Sequence, residues 1–420
     1  MSGFLITRNR DAERSFIARR GPDLTLTLEV EGYHFSHYLL NVAGQRAPQP
    51  FVDGDIVCVL DGEIYSTPSA GSDPGTLPSL YRQHGDDFSR HLDGEFAVAL
   101  YDFGRRVMVL ATDPFGTKPL FWSGTEAGSY ASGLGAGEQV APNTVMVVDL
   151  DRDQSHRRAG ESFDFDHQEK DSYDDWIVAF ERAVGKRATD GCYIPLSAGY
   201  DSGGIDCALR RLGLEYKAYS VEGEENLVML RQRNGDGEIL RMDAEDLAAQ
   251  EAFLRVHAEK ASYRVSRDGV LQECDMLEDR ACCGLALIHS LARREGRQVF
   301  LSGQGGDEIL DARRDWPGYR FPHKLRQWSD FSGGFQTAYL TKEDFVAGAL
   351  GTEGRFPYLD RTVVQEFLWL SSELKNRNYK APLHEYMTRC GYPFDEGVKT
   401  GFCPLPGGDG LWPWVKVAAD

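Results

Sequence analysis

Short apolar runs rich in β-branched and aromatic residues, separated by turn signals, fill the chain up to about residue 150. They are residues 24–30 (Leu-Thr-Leu-Thr-Leu-Glu-Val), 56–60 (Ile-Val-Cys-Val-Leu), 96–101 (Phe-Ala-Val-Ala-Leu-Tyr), 107–111 (Val-Met-Val-Leu-Ala) and 145–148 (Val-Met-Val-Val). Helical patterning in this half is confined to stretches such as 75–84. Many short strands with few helices predict packed sheets, a predominantly antiparallel α+β domain. Residues 149–175 are charged and poor in large apolar side chains, which reads as a connection between domains. Beyond it Trp176, Ile177, Phe180 and Val184 fall at helical spacing and predict an amphipathic helix packed on the next sheet.

A strand-like run ending at Leu196 then breaks into Ser197-Ala198-Gly199-Tyr200-Asp201-Ser202-Gly203-Gly204, with a helix expected to open near Ile205. Small and hydroxylated residues at a strand-to-helix turn let phosphate oxygens approach backbone N–H groups, and the helix N-terminus favours an anion. Asp201 cannot bind phosphate directly and is expected to hold a cation against it. One glycine-rich loop is more often a plain tight turn. Residues 298–308, Gln-Val-Phe-Leu-Ser-Gly-Gln-Gly-Gly-Asp-Glu, repeat the arrangement: a strand, small residues, then acids. Two such loops fit an oxygen-ligated Mg²⁺ between Asp201 and Asp307. Residues 216–221 predict a second strand, ending at Val221 beside the first loop at a parallel-sheet crevice. Residues 222–240 are polar with little periodicity and read as a surface excursion or hairpin.

Length and charge narrow the function. A chain of 420 residues exceeds one ordinary core, so two domains are expected, 1–155 and 170–420. A net charge of -19 disfavours a nucleic-acid surface, because a phosphate backbone would be repelled. No apolar run approaches the roughly 20 residues a membrane helix needs, and residues 1–8 lack an apolar segment of signal-peptide length, so a cytoplasmic location without membrane contact is expected. Eight cysteines without paired C-x-x-C spacing read as reduced thiols.

The polar clusters between the strands carry a resemblance. Arg19-Arg20-Gly21-Pro22-Asp23, Asp61-Gly62-Glu63-Ile64-Tyr65, Gly71-Ser72-Asp73 and the stretch from Asp113 to Leu120 resemble the glutaminase domain of the asparagine synthetase family. That family's domain is a class II glutamine amidotransferase with an N-terminal nucleophile hydrolase fold, a sandwich of β-sheets with flanking helices. By resemblance Arg20 grips the α-carboxylate of glutamine, Glu63 and Asp73 take its ammonium, and Gly62 presents an N–H to the oxyanion. Two positions depart. The family opens Met-Cys-Gly, with Cys as nucleophile, where this chain has Ser2. The family's Asn-Gly-Glu is here Asp61-Gly62-Glu63, so an oxyanion-hole donor is missing. Ser2 is open to three readings: a weak hydroxyl nucleophile, an engineered Cys-to-Ser change, or a natural loss of glutaminase activity.

In the second half, Ser197-Ala198-Gly199-Tyr200-Asp201-Ser202 resembles the Ser-Gly-Gly-x-Asp-Ser signature of ATP pyrophosphatases, with Ala198 for the first glycine, a methyl tolerable only at negative φ. Residues 301–308 resemble the asparagine synthetase motif Leu-Ser-Gly-x-Gly-x-Asp-Glu. The resemblance implies an α/β parallel-sheet domain binding ATP through Leu196, Ser197, Gly199, Asp201, Ser202, Val221, Ser302 and Gly303, and Mg²⁺ through Asp201 and Asp307. Ser2, Glu308, Lys380 and Lys399 are its catalytic candidates, Lys399 at the α-phosphate and pyrophosphate. Lys380 competes with a solvated surface lysine, and Arg355 with Asp360 reads as an ion pair at a helix start. Arg313 stands where β-lactam synthetases use a Tyr as part of a base, and guanidinium cannot take a proton.

The implied reaction is ATP-dependent amide formation: a small-molecule carboxylate is adenylated, pyrophosphate leaves, and nitrogen from glutamine or ammonia displaces AMP. Two alternatives stay open, a β-lactam or macrolactam synthetase using a substrate amine, and a non-catalytic glutamine- and nucleotide-binding protein. Homodimerisation is a further open expectation.

Overall fold

The apolar runs of the first half become two six-stranded sheets. The computed structural model describes all residues except 1, 43–47, 66–74, 136, 153, 224–225, 235–238, 268–269, 312–319, 399–401 and 403–420. It resolves into two units. The first comprises Met1–Phe163, His257–Tyr263 and Ser329–Glu353; the second comprises Asp164–Val256, Arg264–Trp328 and Gly354–Asp420. The charged connection expected at 149–175 is shorter than its composition suggests, because Ser155–Ala159 pairs antiparallel with Thr144–Asp149 as an edge strand.

In the first unit one sheet runs in the order Glu138–Gln139, Phe121–Ser123, Glu126–Gly128, Ser2–Thr7, Tyr33–Leu39, Leu24–Val30. The other runs Ser155–Ala159, Thr144–Asp149, Val107–Thr112, Gly94–Asp102, Ile56–Ile64, Phe51–Asp53. The four central strands of the second sheet are buried on both faces, which is why they read as unbroken apolar runs. Val57, Val59, Ala97, Ala99, Met108 and Leu110 face Phe4, Ile6, Tyr33 and Phe35 of the first sheet. The alternate residues Ile56, Cys58, Leu60, Val98, Leu100 and Val109 face Leu77 and Tyr81 of the helix Thr76–His84. The strand Leu24–Val30 alternates half-buried and exposed side chains, as its Leu-Thr repeat dictates for an edge.

In the second unit a five-stranded sheet is ordered Ile239–Leu240, Tyr216–Val221, Cys192–Pro195, Val299–Leu301, Glu353–Arg355. The pairings of Cys192–Pro195 with Tyr216–Val221 and with Val299–Leu301 are parallel. The helix Asp174–Arg187 buries Trp176, Ile177, Phe180 and Val184, the four residues whose spacing predicts it. Two details differ from the sequence reading. The helix after the first loop begins at Tyr200 rather than near Ile205, so Gly203 and Gly204 lie inside it, where close packing excludes a side chain: a Cβ on Gly204 would lie 2.4 Å from Leu383 Cδ1. The insertion at 222–240 is not a surface excursion; it contains the helix Leu227–Asn234 and the strand Ile239–Leu240, and it buries Met229, Leu230 and Arg233. The polar sequence hid it because only two of its inward residues, Met229 and Leu230, are apolar and the third is an arginine.

No helix among the described residues is long and apolar enough to cross a membrane. The seven described cysteines stand as free thiols.

Candidate functional site

The strands Cys192–Pro195 and Val299–Leu301 are neighbours in a parallel sheet, so the loops at their C-terminal ends emerge side by side. In the first loop Ser197 N–H donates to Ser202 Oγ at 3.0 Å, the two hydroxyls lie 2.8 Å apart, and Gly199 N–H donates to Ser197 Oγ at 3.1 Å. Gly199 precedes the helix in extended conformation, φ -70° and ψ 168°. Ala198 is buried and is not among the residues with positive φ, so its methyl is accommodated. In the second loop Gln304 N–H donates to Ser302 Oγ, and Gly305, at φ +92°, donates its N–H to Glu308 Oε2 at 3.1 Å. Glycine is required there twice over, by the left-handed backbone and by Leu359, whose Cδ2 would stand 2.4 Å from a Cβ.

The two loops meet on Asp201. A Cβ on Gly303 would lie 2.9 Å from Asp201 Cβ, and one on Gly306 would lie 2.3 Å from Asp201 Oδ1. Tyr358 OH donates to the Asp201 carbonyl at 2.8 Å. Lys380 Nζ is 2.5 Å from Asp201 Oδ1 and 2.8 Å from Asp307 Oδ1, with its side chain 1% exposed. Burial would lower the Lys380 pKa, but the two carboxylates outweigh it and hold the ammonium well above the usual lysine range. The residue caps the helix Ala381–Arg389 in the left-handed region, φ 46° and ψ 53°, a conformation a non-glycine residue adopts at a cost of order 1–3 kcal/mol. Glu308, buried beside Asp307, is pushed up to about 7 by desolvation and then by that neighbouring charge. Tyr379 OH reaches Asp307 Oδ1 at 3.4 Å. Leu196 and Val221, at the ends of adjacent strands, are buried.

In the first unit a second polar cluster is enclosed. Arg20, on the helix Ser15–Arg20, is fully buried. Its Nη2 donates to Asp344 Oδ1 at 2.9 Å and to Asp61 Oδ2 at 2.8 Å, its Nη1 to Asp344 Oδ2, and its Nε to the Ser2 carbonyl at 3.0 Å. Asp344 belongs to the helix Gly334–Ala349, which packs in the first unit although it lies late in the sequence. Ser129 Oγ donates to Asp61 Oδ2 at 3.0 Å. Ser2 is a buried strand residue in register with Leu39. Gly62, in register with Phe96, has φ +120°, and a Cβ there would lie 1.9 Å from the Glu95 carbonyl oxygen. Its glycine is therefore demanded by strand packing, whatever else its N–H does. Glu63, in the same strand, is half-buried.

Residues 7–155 match the family model for a glutamine amidotransferase domain, and residues 178–334 match the model for asparagine synthase. The chain thus pairs a glutamine amidotransferase domain with an asparagine synthase domain. A putative asparagine synthetase [glutamine-hydrolyzing] 1 of Methanocaldococcus jannaschii is 25% identical over 82% of this chain and 71% of its own length. Asparagine synthetase [glutamine-hydrolyzing] 2 of Arabidopsis thaliana is 25% identical over 87% of this chain and 70% of its own. Amidase chyE of Penicillium rubens is 24% identical over 74% and 57%. A solved glutamine PRPP amidotransferase from B. subtilis, complexed with ADP and GMP, aligns with 94% of this chain at a TM-score of 0.29 and 11% identity. These domains make the chain an ATP-dependent carbon–nitrogen ligase of the asparagine synthetase type.

Against that family, the structure brings Ser197, Gly199, Asp201, Ser202, Ser302, Gly303, Asp307, Glu308 and Lys380 into one site. Asp73, Arg313 and Lys399 lie outside the described residues. Arg20 is placed with its guanidinium committed to two carboxylates of the protein, where the resemblance implied a free glutamine carboxylate. Arg355 and Asp360 do not form the expected pair. Arg355 donates to the Arg187 carbonyl at 3.0 Å, and Asp360 pairs with Lys186 and Arg187 while its carboxylate accepts Thr362 N–H. Sequence reasoning missed Arg233, Asp344 and Tyr358. Arg233 lay in a stretch without periodicity, and Asp344 and Tyr358 carry no local signal of their tertiary partners.

Proposed function

We propose that this protein adenylates a small-molecule carboxylate with ATP and transfers nitrogen to the activated acyl group, releasing AMP and pyrophosphate. The observation that carries this reading is the convergence of both glycine-rich loops on Asp201, with Asp307 and Lys380 completing the cluster. Carboxylate oxygen is a poor leaving group, so amide formation needs activation. The loop of residues 197–202, at a helix N-terminus, suits the pyrophosphate of ATP. Lys380 supplies a buried positive charge where negative charge shifts onto the leaving group, which favours the transition state over the ground state.

The donor set also fits Mg²⁺ arriving with ATP. Asp201 and Asp307 each bring Oδ1 to Lys380 Nζ, so the two carboxylates lie close together with the lysine between them, and no group of three or more His, Cys, Asp or Glu among the described residues could cage a metal alone. Mg²⁺ characteristically takes one or two carboxylates and completes its shell with phosphate and water oxygens. When bound it would neutralise phosphate charge. In this reading Glu308, whose carboxyl is pushed up to about 7, accepts a proton from the attacking nitrogen.

Nitrogen enters as ammonia or a substrate amine in this reading. Its support is the closed cluster around Arg20, whose donors are already taken by Asp61, Asp344 and the Ser2 carbonyl. The test is an acid panel assayed for AMP with glutamine, ammonium or hydroxylamine as nucleophile. Acid-dependent AMP with hydroxamate formation supports the ligase; no AMP with any acid or nucleophile sinks it. Glutamine as effective as ammonium would overturn the assignment of the nitrogen source alone.

A further inference from the structure

We propose that Arg233, carried on the helix Leu227–Asn234, is a positioning residue that sets the anion-binding face of the loop at 197–202. This rests on the adenylation reading above and names a part of that site outside the loops themselves. Arg233 is buried, 1% exposed. Its Nη1 donates to the Ser197 carbonyl at 2.7 Å and to the Gly199 carbonyl at 2.8 Å, and its Nε donates to the Pro393 carbonyl at 3.0 Å. The guanidinium lies against the ring of Tyr392, Cζ to centroid 5.2 Å.

In a trans peptide the C=O of one residue and the N–H of the next point in opposite directions. Pinning the Ser197 and Gly199 carbonyls onto Arg233 therefore turns the Ala198 and Tyr200 N–H groups away from it. One side chain thus fixes two of the peptide planes a phosphate would meet, and adds a positive charge behind them. Nη1 alone meets both loop carbonyls, and Nε of the same planar group is anchored on a third, so the guanidinium is held in one orientation.

The surroundings are arranged to keep it there. A Cβ on Gly203 would lie 2.7 Å from Arg233 Nη1, 2.8 Å from Cζ and 2.9 Å from Nη2, so the glycine in the first turns of the helix leaves the space that the guanidinium fills. Tyr392 OH donates to Asp206 Oδ2 at 2.6 Å, Asp206 pairs with Arg210 at 2.9 Å, and Arg210 reaches back to the Arg233 carbonyl. The inserted segment at 222–240 is in this way tied to the loop it supports.

The test uses the full chain and three variants, Arg233→Ala, Arg233→Lys and Gly203→Ala, the last displacing the guanidinium without removing it. Thermal denaturation with and without inorganic pyrophosphate, and AMP formation across ATP concentrations, are the readouts. A charge-assisted hydrogen bond to an anion corresponds to about 10- to 100-fold in affinity. We expect Arg233→Ala and Gly203→Ala to weaken pyrophosphate binding and raise KM for ATP by that factor, with a smaller change in kcat. Arg233→Lys is expected to recover part of the loss, and added guanidinium ion part of the loss in Arg233→Ala. A folded Gly203→Ala or Arg233→Lys protein that binds pyrophosphate as the wild type does, in a wild type that makes AMP, overturns the inference and leaves the adenylation reading intact. A wild type that neither binds pyrophosphate nor makes AMP overturns both.

Discussion

Gly306 lies so close to Asp201 that a Cβ at position 306 would stand 2.3 Å from the Asp201 carboxylate oxygen Oδ1. The two residues sit 105 positions apart in the first turns of different helices, Tyr200–Arg211 and Gly306–Leu310, and Asp201 leaves position 306 no room for a side chain. That contact defines the site: it sets the carboxylate of Asp201 against the backbone of the second loop, within reach of Lys380. Gly306→Ala should therefore push Asp201 aside. Overpacking of this kind costs about 1–3 kcal/mol, and AMP formation should fall more steeply than stability does. Paired thermal melts and AMP assays check this, and an active alanine variant would show that the contact is not needed.

Lys380 is held by both carboxylates and is itself buried. Lys380→Met keeps the bulk of the side chain but leaves Asp201 and Asp307 facing each other without a cation. AMP formation should drop about 100-fold or more, on the scale seen when one positioned electrostatic partner is lost. Raised Mg²⁺ should restore folding stability without restoring turnover, which melts and single-turnover assays separate.

The carboxyl of Glu308 titrates near 7 in the folded chain, raised by burial and by Asp307 from an ordinary value of 4.5. A raised carboxyl favours the fold while protonated. Its contribution is full below 4.5 and is lost as the pH rises through 7. Activity should run the opposite way if Glu308 takes a proton from nitrogen, with an ascending limb near pH 7 in the rate of amide formation. Glu308→Gln should remove that limb while leaving acid-dependent pyrophosphate exchange measurable. An unchanged profile would assign the limb to another group.

Asp360 shows the reverse sign. Burial opposes its ionisation, but Arg187 and Lys186 outweigh burial and lower its pKa to about 2 from 3.8. The stabilisation is complete above 3.8 and is lost as the pH falls toward 2. Asp360→Asn strands two cations, while its amide oxygen can still accept the Thr362 N–H that caps the helix Arg361–Trp369. A cost of about 3–5 kcal/mol at neutral pH is expected for breaking a buried pair, shrinking at acid pH. Urea titrations at pH 7 and pH 3 test the difference.

In the first unit Asp344→Ala removes one of the two carboxylates on Arg20 and leaves a buried guanidinium partly uncompensated. Stability should fall by about 3–5 kcal/mol. Acetate, which can refill the vacated position, should raise the melting temperature of the variant more than that of the wild type. Equal shifts in both would argue that the Arg20–Asp344 pair contributes little.

The strands and the long amphipathic helix were legible in the sequence because their signal is local: burial on one or both faces writes a period into consecutive residues, as in 56–60 and in Trp176 to Val184. The two glycine-rich loops were legible for the same reason, since each packs small residues and acids into a few positions after a strand. What tertiary structure decided was which distant groups share a charge. A lysine or arginine looks solvated in sequence, because nothing within a few residues of Lys380, Arg233 or Arg20 discloses a partner. Burying such a charge is favourable only where carboxylates or carbonyls from other segments meet it. Those partners are Asp201 and Asp307 for Lys380, the loop carbonyls for Arg233, and Asp61 and Asp344 for Arg20. The sequence by itself determined the elements and the two loops; chain folding, across separations from 34 residues (Arg233 to Gly199) to 324 (Arg20 to Asp344), determined which charges those elements bring together.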